Sequence, residues 1–197
     1  MDKPEDVLFS PSVKAEQERL GTRASFLDRE WATEITQNLA QFIDAIDTFF
    51  FATASADGRP YIQHRGGPPG FLKVLDPRRL AFADFAGNKQ YITLGHLKEN
   101  DRAHIFILHF ATRQRVKLWG RARVIENDLE LMERLVDPAY KARPQRAIVF
   151  ALEAWDVNCQ QHIQARYTEG EMAPAVNKLV ARIKELEETV TRKKKAS

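Results

Sequence analysis

Leu80-Ala81-Phe82-Ala83-Asp84-Phe85-Ala86-Gly87-Asn88-Lys89-Gln90 is the stretch whose reading decides the fold. It opens on four apolar residues with strand character and reaches a glycine. From Gln90 to Leu97 the pattern is helical, with Tyr91, Leu94 and Leu97 on one face. A strand that turns through glycine into a helix leaves unpaired N–H groups at the helix start. Those donors and the positive end of the helix dipole suit a phosphate. Lys89 adds a full charge at the turn and Asn88 a side-chain amide, so the turn is expected to hold the phosphate of a nucleotide-like cofactor. An ordinary helix N-terminus, capped by Asn88 with Lys89 in solvent, explains the same residues.

Strands surround this turn. Phe49 to Ala54 is aromatic and small, and Asp57-Gly58 is a two-residue hairpin signal. Pro60 to His64 is the returning strand. Gly66-Gly67-Pro68-Pro69-Gly70 interrupts any ladder and lets a ligand approach the backbone. Phe71 to Leu75 follows, then Asp76-Pro77 and the strand from Leu80. Beyond the helix, Ala103 to Phe110, Val116 to Ile125 and Ala147 to Ala154 have strand propensity. Asp128 is placed to cap a short helix over Leu129 to Val136. Strands joined mostly by hairpins, with one clear helix among them, predict an antiparallel sheet or small barrel. No G-x-G-x-x-G occurs, so the turn is not a Rossmann site.

Helices are predicted at both ends. Pro11 opens a polar helix over Val13 to Leu20 that Gly21 closes. A second is predicted from about Asp28 to Ile46, with Trp31, Ile35, Leu39, Phe42, Ile43 and Ile46 as its apolar face. The last runs from near Glu171 to about Val190. Its residues Val176, Leu179, Ile183, Leu186 and Val190 form a coiled-coil-like seam, suited to the same chain's barrel or to a dimer partner.

The 197 residues allow one well-cored domain with helical additions, and 44% hydrophobic with 29% charged residues is ordinary for a soluble protein. No apolar run is long enough for a bilayer, and no secretory signal opens the chain. One cysteine, Cys159, excludes an internal disulfide and fits a cytoplasmic location. A net charge of +3, much of it in the tail from Arg192 to Lys195, argues against a nucleic-acid partner. His64, His96, His104, His109 and His162 show no zinc-like spacing, so no metal is expected. Residue parity puts His104 and His109 on opposite sides of their strand. Trp119 and Trp155 read as core or rim residues.

The motifs Phe51-Ala52-Thr53-Ala54-Ser55-Ala56-Asp57-Gly58-Arg59-Pro60, His64-Arg65-Gly66-Gly67-Pro68-Pro69-Gly70-Phe71 and Asp84-Phe85-Ala86-Gly87-Asn88-Lys89-Gln90-Tyr91 occur in series. Asn100-Asp101-Arg102 and Leu118-Trp119-Gly120-Arg121-Ala122-Arg123-Val124 continue it. In order and spacing the series resembles the pyridoxamine 5′-phosphate oxidase-like family. Gln17-Glu18-Arg19-Leu20-Gly21 and Asn158-Cys159-Gln160-Gln161-His162-Ile163 look like the ends of one uncharacterised branch of it.

The resemblance implies a mainly β protein with flanking helices: a six-stranded antiparallel split β-barrel that binds FMN and forms a homodimer with cofactor sites at the interface. Residues 1–48 would be a helical lead-in, 49–157 the FMN-binding domain, and 158–197 a loop and helix against the barrel or the partner. Arg65, Asn88 and Lys89 would hold the FMN phosphate, with His64 and Gln90 beside them. Phe82, Ala83 and Asp84 would lie along the flavin or ribityl chain. Lys73 is the nearest candidate for a cofactor lysine on the third strand, and Gln114 or Arg115 for a flavin contact from the sixth. Asn158, Gln161 and His162 are candidates for the flavin edge, or else a loop-capping cluster.

The implied activity is a flavin-dependent oxidoreductase with a small-molecule substrate or electron donor, and His64 is the best candidate acid or base. A non-enzymatic flavin carrier or redox sensor fits the same residues. So does a split barrel using F420, or haem with His64 or His162 as axial ligand. The substrate grip of the vitamin-forming oxidases is missing. The stretch from Leu129 to Val136 has no tyrosine, and no Arg-x-His pair follows Ile163. Pyridoxamine phosphate is therefore not the expected substrate.

Overall fold

The computed structural model describes residues 3–195, with the side chains of residues 194 and 195 excepted. Four helices lead in: α1 (Pro4–Leu8), α2 (Pro11–Arg19), α3 (Ala24–Leu27) and α4 (Gln37–Ala45). The strands follow as β1 (Thr48–Ala54), β2 (Pro60–Gly66), β3 (Lys73–Asp76), β4 (Arg79–Phe85), β5 (Arg102–His109), β6 (Gln114–Ile125) and β7 (Pro144–Val157). Helix α5 (Ile92–Glu99) separates β4 from β5, α6 (Leu129–Leu135) separates β6 from β7, and α7 (Glu169–Lys195) ends the chain. Two compact units result: residues up to His109 with Gln114–Gln160, and Phe110–Arg113 with the residues from Gln161 on. Among the described residues no helix is long and apolar enough to cross a membrane.

The first unit holds one antiparallel sheet in the order β2-β1-β5-β6-β7-β4-β3. It has seven strands where six were expected, and no pairing joins its two edges, β2 and β3, among the described residues. The sheet is therefore open, not a closed barrel. It nevertheless curls, because Phe82 on β4 meets Phe49 and Phe51 on β1 at ring-centroid distances of 5.1 and 5.5 Å. Phe71 stacks on Phe49 at 5.4 Å. Leu80, Phe82, Ile105, Leu118, Ile148 and Phe150 complete this inner core. Ala81 and Ala83 lie on the other face of β4, with Ala147, Val149 and Leu135 of α6. Both faces of β4 are thus buried, which is why its sequence runs apolar without alternation.

Several elements match their sequence signals. Ser10 accepts from Val13 N at the start of α2, with Pro11 in the first turn, and Gly21 beyond its end has φ 71°. Gly58 in the first hairpin has φ 85°, which glycine adopts without strain. Asp128 caps α6, its carboxylate accepting from Leu131 N at 2.9 Å.

The helix expected from Asp28 to Ile46 shortens to α4. Thr36 caps α4 by accepting from Leu39 N, and the backbone before it pairs elsewhere. Trp155 N donates to Ala32 O at 2.9 Å, and Ile35 N to Pro77 O at 2.7 Å. Tertiary hydrogen bonds have taken an acceptor and a donor that a helix would use. Strand β3 begins at Lys73, not Phe71, because Phe71 and Leu72 leave the ladder to plug the core at 5% and 1% exposure.

Candidate functional site

Register brings the charged residues together. On β1 the inner-face residues are Phe49, Phe51 and Thr53, and their β2 partners are Arg65, Gln63 and Tyr61. Paired residues share a face, so these three also point inward. Asp84 has the parity of Leu80 and Phe82, and its β7 partner is Arg146. The curl of the sheet closes the remaining gap. Arg65 Nη1 donates to Asp84 Oδ1 at 2.5 Å, and Arg146 Nε stands 3.7 Å from Asp84 Oδ2. All three side chains are at most 14% exposed. Arg146 is also 3.8 Å from the exposed Glu126 and lies under the Tyr91 ring.

A cavity of about 60 Å³ opens over this cluster. Tyr61, Gln63, Arg65 and Asp84 line one side, and the turn from Gly87 to Leu94 lines the other. That volume admits several water-sized groups, enough for a phosphate. Helix α5 begins at Ile92, two residues later than the sequence pattern indicated, with Tyr91 at the N-cap in a left-handed conformation. Asn88 is therefore not the cap; its side-chain oxygen accepts from Gln90 N at 3.1 Å. The first N–H groups of α5 lack intrahelical acceptors, no side chain caps them, and the residues that carry them, Tyr91 to Leu94, line the cavity. Lys89 and Tyr91 both have positive φ, 60° and 54°. A bulky residue held there costs about 1–3 kcal/mol, a strain that clusters at ligand sites.

The cluster has spare donors and spare charge. The Nε atoms of Arg65 and Arg146 are buried without a hydrogen-bond partner. Arg65 and Lys89 line the cavity with the single carboxylate of Asp84, and Arg146 backs that carboxylate from outside the lining, beside the exposed Glu126. Buried donors without protein acceptors are rare in native proteins, and an anion is one group whose chemistry satisfies them. Thr93 on α5 holds Gln63 by donating to its Oε1 at 3.2 Å.

Of the residues singled out in the sequence, Arg65, Asp84, Asn88, Lys89 and Gln90 share this cavity. Phe82 and Ala83 do not line it; their side chains are buried in the two cores. His64 has the parity opposite to Arg65 and points out of the sheet, its Nε2 2.6 Å from Thr48 Oγ1. Lys73 lines a separate cavity with Phe71, Phe85, Pro138 and Tyr140. Gln114 and Arg115 start β6, where Asn158 N donates to Arg115 O at 3.2 Å. Arg115 Nε and Asn158 Oδ1 are buried without partners, a second place with open hydrogen-bonding capacity. Gln161 and His162 belong to the second unit, His162 with φ 65°. Among the described residues no group of three or more His, Cys, Asp or Glu is placed to hold a metal.

Arg146 is the main site residue that the sequence reading missed. Its parity with Ile148 and Phe150, both in the inner core, was the available signal. Tyr61, Gln63, Tyr91 and Thr93 were likewise missed.

A family model described as pyridoxamine 5′-phosphate oxidase matches residues 35–186. No curated protein matches the sequence. Among solved structures, HupZ of Group A Streptococcus is 16% identical, with a TM-score of 0.52 over 67% of this chain and 99% of that one. A Clostridium acetobutylicum protein related to general stress protein 26 of B. subtilis, of the pyridoxinephosphate oxidase family, is 14% identical. Its TM-score is 0.47 over 63% of this chain and 86% of that one. At such identity the likeness to HupZ speaks for the fold alone.

Proposed function

The chain belongs to the pyridoxamine 5′-phosphate oxidase family, and from that premise we propose that it binds FMN and acts as an FMN-dependent oxidoreductase on a small molecule. Residues 49–157 would carry the cofactor, and a second copy would complete each site. The observation that carries the reading is the cavity at the uncapped start of α5, lined by Arg65, whose buried Nε–H has no acceptor, and backed by Arg146, whose Nε–H has none either. A phosphate dianion fits the chemistry of that donor set: it accepts from Arg65, Arg146 and the helix N–H groups, and Lys89 adds charge at the mouth. Arg115 and Asn158 are the candidates for polar contacts to the rest of the cofactor, through the donor and acceptor they leave open. FMN, when bound, supplies the redox chemistry, and the protein supplies binding, orientation and hydrogen bonds.

The test is the visible spectrum of the purified protein, with the released cofactor identified by mass, followed by FMN titration. Arg65→Ala and Lys89→Ala should each weaken FMN binding by more than about 1.5 kcal/mol if both make charge-assisted bonds to the phosphate. Unchanged affinity in both variants, or a colourless protein that takes up no FMN, refutes the site. Turnover of an electron acceptor with NADH or NADPH then separates an oxidoreductase from a flavin carrier or sensor. An FMN-loaded protein that reduces none of a panel of acceptors is not an oxidoreductase.

A further inference from the structure

Helix α7 buries almost nothing of itself. From Pro174 to Arg192 every residue is exposed. Val176, Leu179, Val180, Ile183, Leu186 and Val190 are each 45–65% exposed, yet they form one stripe. A helix of 27 residues, about 40 Å long, gains little from propensity alone and is held by what its apolar face packs against. Aligned as heptads, the first core position holds Val176, Ile183 and Val190, and the fourth holds Met172, Leu179 and Leu186. Glu169 and Lys193 occupy the core positions just beyond the seam and close it at both ends.

We propose that α7 pairs with α7 of a second copy of this chain as a parallel, in-register, two-stranded coiled coil. Two features select this partner and orientation. β-Branched residues at the first core position with Leu or Met at the fourth favour two parallel strands. The flanking charges agree: in a parallel pair the last position of one heptad faces the fifth position of the partner's next heptad, which sets Arg182 against Glu187 of the other copy, twice by symmetry. Within one chain Arg182 pairs with the exposed Glu185 at 2.8 Å, and Glu187 has no ion-pair partner among the described residues. An antiparallel pair with the same overlap would place Arg182 against Arg182, a like-charge contact. The seam of one copy is thus complementary to itself in one orientation.

The test uses the full chain, with exposed Cys159 replaced by serine. Met172→Cys and Leu186→Cys are made separately, with Ala181→Cys on the outer face as control. Across the fourth position of a parallel pair the Cα atoms approach to about 6 Å, the usual spacing of a disulfide. Mild oxidation should therefore give nearly complete disulfide-linked dimer for both seam variants, at least tenfold faster than for the control. Adding Arg182→Glu should slow the cross-link, and adding Glu187→Arg as well should restore it. Cross-linking no faster than the control at both sites overturns the proposal and means that something else covers the seam. Linkage only between a Met172→Cys chain and a chain carrying Val190→Cys shows antiparallel packing and also overturns it, as does a monomer in sedimentation equilibrium.

Discussion

Asp84→Asn should push stability and ligand affinity in opposite directions. The Asp84 carboxylate sits between Arg65 at 2.5 Å and Arg146 at 3.7 Å, and its side chain is 12% exposed. At an effective dielectric of about 20, charges about 4 Å apart attract by about 4 kcal/mol, an attraction largely offset by the desolvation of both ions. Removing one partner exposes that desolvation, which for buried pairs costs about 3–5 kcal/mol. Asparagine keeps an oxygen for Arg65, so the lower end applies, about 3 kcal/mol. In a chain of 197 residues that lowers Tm by about 6–12 °C. The same change removes the only negative charge among the cavity-lining residues, leaving Arg65 and Lys89 unopposed there, while Arg146 behind them keeps only the exposed Glu126. An anion bound there no longer competes for the two guanidinium groups, so FMN or inorganic phosphate should bind at least tenfold tighter. Thermal melts without and with ligand, together with FMN fluorescence titration, measure both quantities. Added FMN should then raise Tm more in the variant than in the wild type. A folded variant whose FMN affinity is unchanged or lower would refute the placing of the anion beside this carboxylate.

His104 packs edge-on against Trp119 at 4.9 Å, and burial, aided by the Lys117 charge, holds its pKa down at about 4. Stability is therefore undiminished above the unfolded-state value near 6.5 and falls as pH drops toward about 4, by up to ~3 kcal/mol. Urea midpoints at pH 7.5 and 5 should differ more in the wild type than in His104→Phe, and equal differences would refute the assignment. Gly120→Ala should lose more than about 3 kcal/mol or fail to fold, because the new Cβ would lie 2.1 Å from the Ala151 carbonyl oxygen at the β6 bulge. A melt within a few degrees of wild type would show that the bulge relaxes.

Short-range signals carried most of the strand reading. The Asp57-Gly58 hairpin and the Asp128 cap each depend on residues within a few positions of one another, and both formed where expected, although the hairpin connection runs from Ser55 to Arg59 and not through two residues alone. The first half of the helix predicted over Asp28 to Ile46 did not form, for a long-range reason. Its 3.6-residue spacing is real, but Trp155 and Pro77, far along the chain, claim the backbone at Ala32 and Ile35. Phe71 and Leu72 were read as strand because apolarity alone cannot separate a ladder residue from a plug. At the site, Arg65 and Lys89 were legible as charged residues next to breaks in the chain. Arg146 was not, because only the β4–β7 register and the curl of the sheet bring it to Asp84. The facing of His64 was legible in principle: it sits one residue from Arg65 on a strand, and neighbours on a strand point to opposite faces.

The departures from local rules coincide in space. Helix α5 has no side-chain cap, two bulky residues before or at its start are left-handed, and two buried arginines each hold an N–H without an acceptor. Each is unfavourable alone, and none helps the core, which is built from Phe49, Phe51, Phe71, Phe82 and Phe150 on other positions. Yet Arg65, Lys89, Tyr91 and the first turn of α5 border one cavity, with Arg146 next to Tyr91 and Asp84. Random defects would scatter, whereas a site for an anion concentrates them, since one bound group can satisfy the helix N–H groups and the guanidinium groups together. Asp84 balances the cluster: one carboxylate offsets part of the positive charge and pairs with both arginines. The carboxylate that positions the two arginines is therefore also the group that would limit how tightly they could hold an anion.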